Sequence, residues 1–287
     1  DESWFYLITV EIEARGADAI VPMMVSIDAI QKGIKKIKDD ATAHSAAHKS
    51  EVVVELDRAE CLRRLVSLST EESTKANLNL SPRPGAVLSG TPSGMSICLF
   101  LTAQLRIIGP AIAGMVESLV NMREGCHPFI FYHRVRPFLS AWKQNPTLPD
   151  GVIYEGYSTE RKQYYGGSAA QSPLIPLLDI GLGIDHTSTK SCEFLLSMRA
   201  YMLKDHRDFL EYLETIACIR EFVLMGKSIH LDQADASQRP LDSLAAWEDL
   251  SVAYNACVKQ VEQFRQGHMD IVHEYIVNMQ SQKMVDL

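Results

Sequence analysis

Apolar residues recur along most of this chain at alternating spacings of three and four, the repeat that turns one face of an α-helix toward a core. Ile20, Met23, Ile27, Ile30, Ile34 and Ile37 form one such row, with Pro22 near its start and Lys35, Lys36 and Lys38 turned to water. Leu56, Leu62, Leu65 and Val66 mark a further helix within residues 51–68, and Leu105, Ile108, Ile112, Val116, Leu119 and Met122 a long one after it. Another follows Pro128 through Phe129, Phe131, Tyr132 and Arg136 until Pro137 kinks or ends it, because proline removes a backbone donor and crowds the preceding turn. Helices are predicted over 192–202 and 206–218, then a loop around 226–240, then a last helix from about Leu244 to Met279. Residues 4–12 (WFYLITVEI) are aromatic and β-branched, and pattern alone leaves them either a short strand or a buried helical turn. Nearly every periodic segment is helical, which predicts an all-α, multi-helix fold in a single domain over residues 1–287.

The polar stretches interrupt this pattern. Residues 41–50 (ATAHSAAHKS) are small and polar, and residues 69–94 are dense in Ser, Thr, Pro and Gly, so about 40–103 reads as a flexible or aberrant insertion. Residues 143–165 carry Pro, Asp-Gly and Gly punctuation and read as a long ordered loop. Gly166-Gly167-Ser168-Ala169-Ala170-Gln171 follows, in which Ser168 and Gln171 have the spacing of a capping box at a helix start. The lysine of a phosphate loop is absent there.

Composition narrows the function classes. The 287 residues carry a formal charge of -8, which argues against nucleic acid or an anionic membrane surface. Six cysteines, with no C-x-x-C pair, give neither a zinc ribbon nor a disulfide framework, so a reducing, cytoplasmic setting is expected. The longest apolar run, residues 97–101, is far shorter than a membrane span. The first residue is Asp1 rather than Met, as in a fragment. His44 and His48 have the i, i+4 spacing of a metal pair with no acid or thiol to complete it. There is no G-x-S-x-G elbow, zinc signature or dinucleotide fingerprint.

One residue departs from the apolar pattern in a way that suggests chemistry. Cys257, Val261, Phe264, Ile271, Val272, Tyr275 and Met279 form one stripe, and His268 stands in its middle. A core histidine with satisfied ring nitrogens is one reading, and an axial ligand to a haem iron is the other. Arg265 shares the face of His268 and has the reach of a haem propionate. Gly267 costs about 1 kcal/mol against Ala in a helix and suggests something bulky lying close to the backbone.

Several segments together, in order, resemble the haem-binding large domain of indoleamine 2,3-dioxygenase. They are FYLITVEIE, CHPFIFYHRVRPFLSAWKQNPTLPDGVIYEG, YYGGSAAQSPLIPLLDIGLGI, MRAYMLKDHRDFLEYL and AYNACVKQVEQFRQGHMDIVHEYIV, covering roughly residues 1–39 and 104–287. The resemblance implies an all-helical protein with haem b as cofactor, monomeric, adding O₂ across the indole C2–C3 bond of L-tryptophan or a related indoleamine. The product would be N-formylkynurenine, in tryptophan catabolism by the kynurenine pathway. It implies that His268 is the proximal iron ligand, that Arg265 pairs with a propionate, and that Gly167 and Val272 lie against the haem. It implies further that Arg136 holds the substrate carboxylate, that Phe131 and Tyr132 pack on the indole, and that Ser168 and Ala169 line the pocket. Phe5, Tyr6 and Thr9 would lie on the distal side. By residue type alone the same positions read as core aromatics, a surface arginine and a helix cap.

The chain also departs from the family. Tyr132 and Tyr6 stand where Phe is common, residues 40–103 lack a recognised counterpart, and the resemblance starts and stops so that the family's smaller N-terminal domain and Gly-Thr-rich closing loop are expected to be missing from this sequence. Pro173 and Pro176 fall in a stretch the family makes helical. Pro173 suits a first turn, whereas Pro176 is expected to remove an internal hydrogen bond. The competing function is a non-catalytic haem protein that binds O₂, of the dioxygenase-derived myoglobin type.

Overall fold

Helix α4 (Gly94–Gly125) is the element on which the others are laid. Its start is fixed by a reciprocal cap, in which Ser96 N–H donates to Ser93 Oγ at 3.2 Å and Ser93 N–H to Ser96 Oγ at 2.8 Å. Apolar residues run round its whole circumference, as they must in a helix with neighbours on several sides. By length and composition alone α4 would also cross a membrane, but more than half of its most apolar window is covered by other helices. The computed structural model describes residues 1–47, 56–67, 93–140, 146–186, 192–231 and 241–282.

Two long partners sandwich α4. Helix α1 (Glu2–Ala17) runs antiparallel to it, with Trp4 Nε1 donating to the Asn121 carbonyl at 2.9 Å and Arg15 to that of Gly114 at 3.2 Å. Helix α11 (Leu241–Val272) runs parallel on another side, from Cys98 Sγ and the Ala246 carbonyl at one end to the Arg123–Glu274 ion pair at the other. The main core lies between α4, α11, α2 (Ile20–Ala47), α3 (Arg58–Ser67), α7 (Leu174–Leu182), α9 (Lys204–Ile216) and α10 (Ile219–His230). A second, smaller core of Ile8, Met122, Cys126, Phe131, Val135 and Tyr275 closes the far end of α4. Helix α8 (Cys192–Arg199) and the short helices α5 (Pro128–Ile130) and α6 (Arg136–Leu139) complete the α-helices among the described residues.

The all-α expectation holds, and the differences have physical causes. Residues 4–12 belong to α1; their apolar side chains lie on both sides of it, with Ile8 buried against α4 while Leu7 and Val10 are exposed, so no period is visible. Between residues 40 and 103, α2 continues to Ala47, α3 buries Cys61, Leu62, Leu65 and Val66, and α4 buries its first turns. Those parts of the expected insertion therefore belong to the main core. Residues 48–55 and 68–92, and with them His48, lie outside the described residues.

The loop expected around 226–240 is corrected at its start, because Gly226 lies inside α10. A Cβ there would stand 2.1 Å from the Trp247 ring, so this glycine serves helix contact rather than a turn. Pro176 is also corrected. Pro173 precedes α7 and Leu177 N–H makes the first bond, to the Pro173 carbonyl at 2.9 Å. Pro176 thus sits in the first turn, where no backbone donor is required, and no internal bond is lost. A π-helical turn (Phe131–Val135) joins α5 to α6, Pro137 stands in the first turn of α6, and the helix ends at Leu139, two residues later. A second π-turn (His273–Val277) ends α11. An isolated antiparallel bridge between Val152 and Lys162 pins the loop before Gly166. Cys61, Cys98, Cys126, Cys218 and Cys257 are buried free thiols.

Candidate functional site

The stripe on α11 is sealed at both ends and open in its middle. Cys257 and Val261 are each 1% exposed and Tyr275 is 2% exposed, while Phe264, Ile271 and Val272 are half-buried and His268 is exposed. Desolvation nevertheless lowers the pKa of the His268 imidazole below its ordinary value. The side chain thus keeps contact with water while neighbouring protein desolvates the imidazole.

Both flanks of this opening are defined. On one side Gly267 faces α4, where an added Cβ would meet Leu119 at 3.4 Å, an ordinary contact; the bulky group close to the backbone is a leucine of the protein itself. On the other side Arg265 Nη2 donates to both carboxylate oxygens of Asp179 on α7, at 2.6 and 2.5 Å. Burial pushes the Asp179 carboxyl up, opposed first by Arg265 and then by His186, whose Nε2 lies 3.2 Å away. Sequence reasoning missed Asp179 and His186. The available signal was one carboxylate in an otherwise apolar segment, Leu174–Leu182, since a buried charge requires a partner.

The two π-turns meet at the end of the opening. Phe131 stands edge-on to Tyr275 at 5.8 Å and packs on Phe5 at 5.0 Å, so Phe131 is a core ring between α1 and the end of α11. Tyr275 donates to the Cys126 carbonyl at 2.5 Å, and burial raises its phenol pKa to about 12. Arg136 follows the first π-turn, half-buried, with its guanidinium 5.2 Å from the centroid of the Tyr132 ring.

The Gly166–Gln171 loop is tied to the same place. Gly167 N–H donates to the Leu139 carbonyl at the end of α6, at 3.1 Å, and Ser172 Oγ donates to Glu13 of α1 at 2.5 Å. The expected capping box is present. Ala170 N–H donates to Ser168 Oγ and Ser168 N–H to Gln171 Oε1, each at 3.3 Å, around a 3₁₀ turn (Ala169–Gln171). Gly167, Ser168 and Ala169 are exposed. On α1, Thr9 is half-buried and donates to the Tyr6 carbonyl, while Tyr6 is 45% exposed and touches the ring of Phe5 edge-on. The structure therefore joins Phe5, Phe131 and Tyr275 directly, pairs Arg136 with Tyr132, and sets Gly167 against α6.

Among the described residues no group of three or more His, Cys, Asp or Glu is placed to hold a metal ion. A single imidazole at an apolar opening suits instead a metal that arrives with its other ligands.

The fold is all-helical, with one exposed imidazole in the apolar stripe of α11. The family model for indoleamine 2,3-dioxygenase matches residues 94–286, and the chain belongs to that family. It is 39% identical over 169 residues to indoleamine 2,3-dioxygenase 1 of Rattus norvegicus, covering 58% of this chain and 37% of the relative. With the Saccharomyces cerevisiae indoleamine 2,3-dioxygenase it shares 34% identity over 180 residues, 59% of this chain and 36% of the relative. Indoleamine 2,3-dioxygenase nanC of Aspergillus nanangensis is 29% identical over 283 residues, 96% of this chain and 50% of the relative, a span that takes in residues 40–103. The chain spans from a little over a third to half the length of these relatives.

Proposed function

We propose that this chain forms the haem-binding part of a dioxygenase acting on L-tryptophan or a related indoleamine. The observation that carries the reading is the open stretch of the α11 stripe, sealed above and below and centred on His268. A neutral imidazole is the protonation state an iron ligand requires, and desolvation alone favours it at His268. The half-buried Phe264, Ile271 and Val272 give that opening the apolar walls a macrocycle needs. Bound haem would supply the redox-active iron at which O₂ is taken up and added across the indole C2–C3 bond, giving N-formylkynurenine.

In this reading the chain's own groups bind and orient. His268 holds the iron, and the Asp179–Arg265 pair fixes α11 to α7 one turn away, so that the imidazole stays in place. Val272 and Gly167 border the cofactor. Arg136 takes the substrate carboxylate, for which a guanidinium fork is suited, and thereby sets the direction in which the indole extends. Tyr132 with Phe131 behind it forms the aromatic side, and Ser168 and Ala169 the loop side. Phe5 and Thr9 approach from α1.

The test is haem reconstitution of the full chain, comparing the Soret spectrum of wild type with His268→Ala, followed by assay of N-formylkynurenine formation from L-tryptophan under reducing conditions. A ligand-field change in the variant and product in the wild type are expected. An unchanged spectrum in His268→Ala would sink the ligand assignment, and reversible O₂ binding without product would sink the dioxygenase reading.

A further inference from the structure

Arg136 is half-buried, yet among the described residues it makes no ion pair. A cation withdrawn from water requires another source of stabilisation, and the Tyr132 ring provides it, 5.2 Å from guanidinium carbon to centroid. The ring is itself braced. His133 stands edge-on to it at 5.0 Å and packs in turn on Phe129 at 4.4 Å. The π-turn contributes as well, since Arg136 N–H bonds back five residues to the Phe131 carbonyl. Such widened turns concentrate at functional sites.

The ring attracts the guanidinium without a hydrogen bond, and the Arg136 side chain makes no hydrogen bond or ion pair among the described residues. That leaves the bidentate fork uncommitted. We infer that Tyr132 is a positioning residue: its ring holds the Arg136 guanidinium so that the fork meets the carboxylate of an amino-acid substrate. The role makes Tyr132 a determinant of selectivity for carboxylated indoles over amines that lack the acid group. It rests on the reading of Arg136 as the carboxylate anchor, and it differs from a simple indole contact, which would serve both kinds of ligand alike.

The test is calorimetric titration of the haem-loaded full chain with L-tryptophan and with tryptamine, which keeps the indole and the amine but has no carboxylate. Tyr132→Leu is expected to weaken L-tryptophan about fourfold more than tryptamine, the worth of a cation–π contact at a partly exposed site, because any lost indole contact falls on both ligands alike. Tyr132→Phe keeps the ring face and restores the preference. Arg136→Leu brings the two ligands to equal affinity, and adding Tyr132→Leu to it changes their ratio no further. Should Tyr132→Leu fold poorly, Tyr132→Met carries the same comparison, with helical content and melting point as controls. Equal weakening of both ligands in Tyr132→Leu overturns the inference, as does a wild-type preference that survives the substitution. A wild type that binds L-tryptophan no better than tryptamine removes the anchor reading of Arg136, and the inference with it.

Discussion

Arg265 reaches both carboxylate oxygens of Asp179 from a single nitrogen, and so fastens α11 to α7 three residues before His268. The pair is lopsided, with the Asp179 side chain 11% exposed and that of Arg265 34%. Breaking a fully buried pair costs about 3–5 kcal/mol, and the openness of Arg265 reduces this. Asp179→Ala should therefore lose about 1–3 kcal/mol in urea unfolding. Asp179→Leu combined with Arg265→Leu should recover most of that loss, because neither charge is then left unpaired. A single substitution without effect would show that the pair carries no stability.

Tyr275 offers a test in pH. Its phenol donates to the Cys126 carbonyl, and its pKa rises from 10.0 to about 12 on burial. The folded state thus holds this proton more tightly than the unfolded state. The stabilisation is complete below the unfolded value and is lost as pH rises through 10 toward 12. Tyr275→Phe should lose about 1 kcal/mol near neutral pH and lack this part of the alkaline decline. Parallel wild-type and variant curves across the alkaline range would refute the assignment.

Two glycines in helices should respond in opposite senses to alanine. At Gly226 the new methyl would stand 2.1 Å from the Trp247 ring, so Gly226→Ala should lose about 1–3 kcal/mol despite better helix propensity. At Gly267 it would meet Leu119 at 3.4 Å, so Gly267→Ala should gain up to about 1 kcal/mol in the haem-free chain. Thermal melts of both variants decide the point, and destabilisation by Gly267→Ala would show that the space beside Leu119 is smaller than the geometry gives.

Burial raises the thiol pKa of Cys218 and Cys257 to about 12 and that of Cys98 further still. Thiolate is the reactive form, so these positions should resist iodoacetamide in the native protein and react once urea unfolds it. Peptide mapping of alkylated native and unfolded chain reads this directly. Prompt native labelling of Cys257 would contradict the packing of α11 on α4.

Much of the fold was legible wherever one face of a helix meets the core and the other meets water. The Ile20–Ile37 row and the stripe from Cys257 to Met279 are of this kind. Helix α1 hid its period because apolar side chains stand on both sides of it, only one of them covered by α4. Helix α10 was lost at Gly226, where a glycine that normally signals a break is required by the Trp247 ring from another helix. The same limit applies to the site. His268 could be singled out as the polar member of an apolar row, but its exposure depends on where α4 and α7 lie. Arg265 was expected to pair with a propionate; the structure also gives it Asp179, a partner 86 residues away that no local spacing indicates.

The sealed ends of the α11 stripe carry a consequence for the order of assembly. Cys257 and Val261 below and Tyr275 above are packed by protein alone, so the helix is anchored on both sides of the opening without help from anything inside it. Under the proposed haem-binding reading, folding would precede acquisition of the cofactor, and the incoming group would meet an imidazole already in register. Little reorganisation is needed at that moment, and the contact energy goes into affinity rather than into ordering the chain.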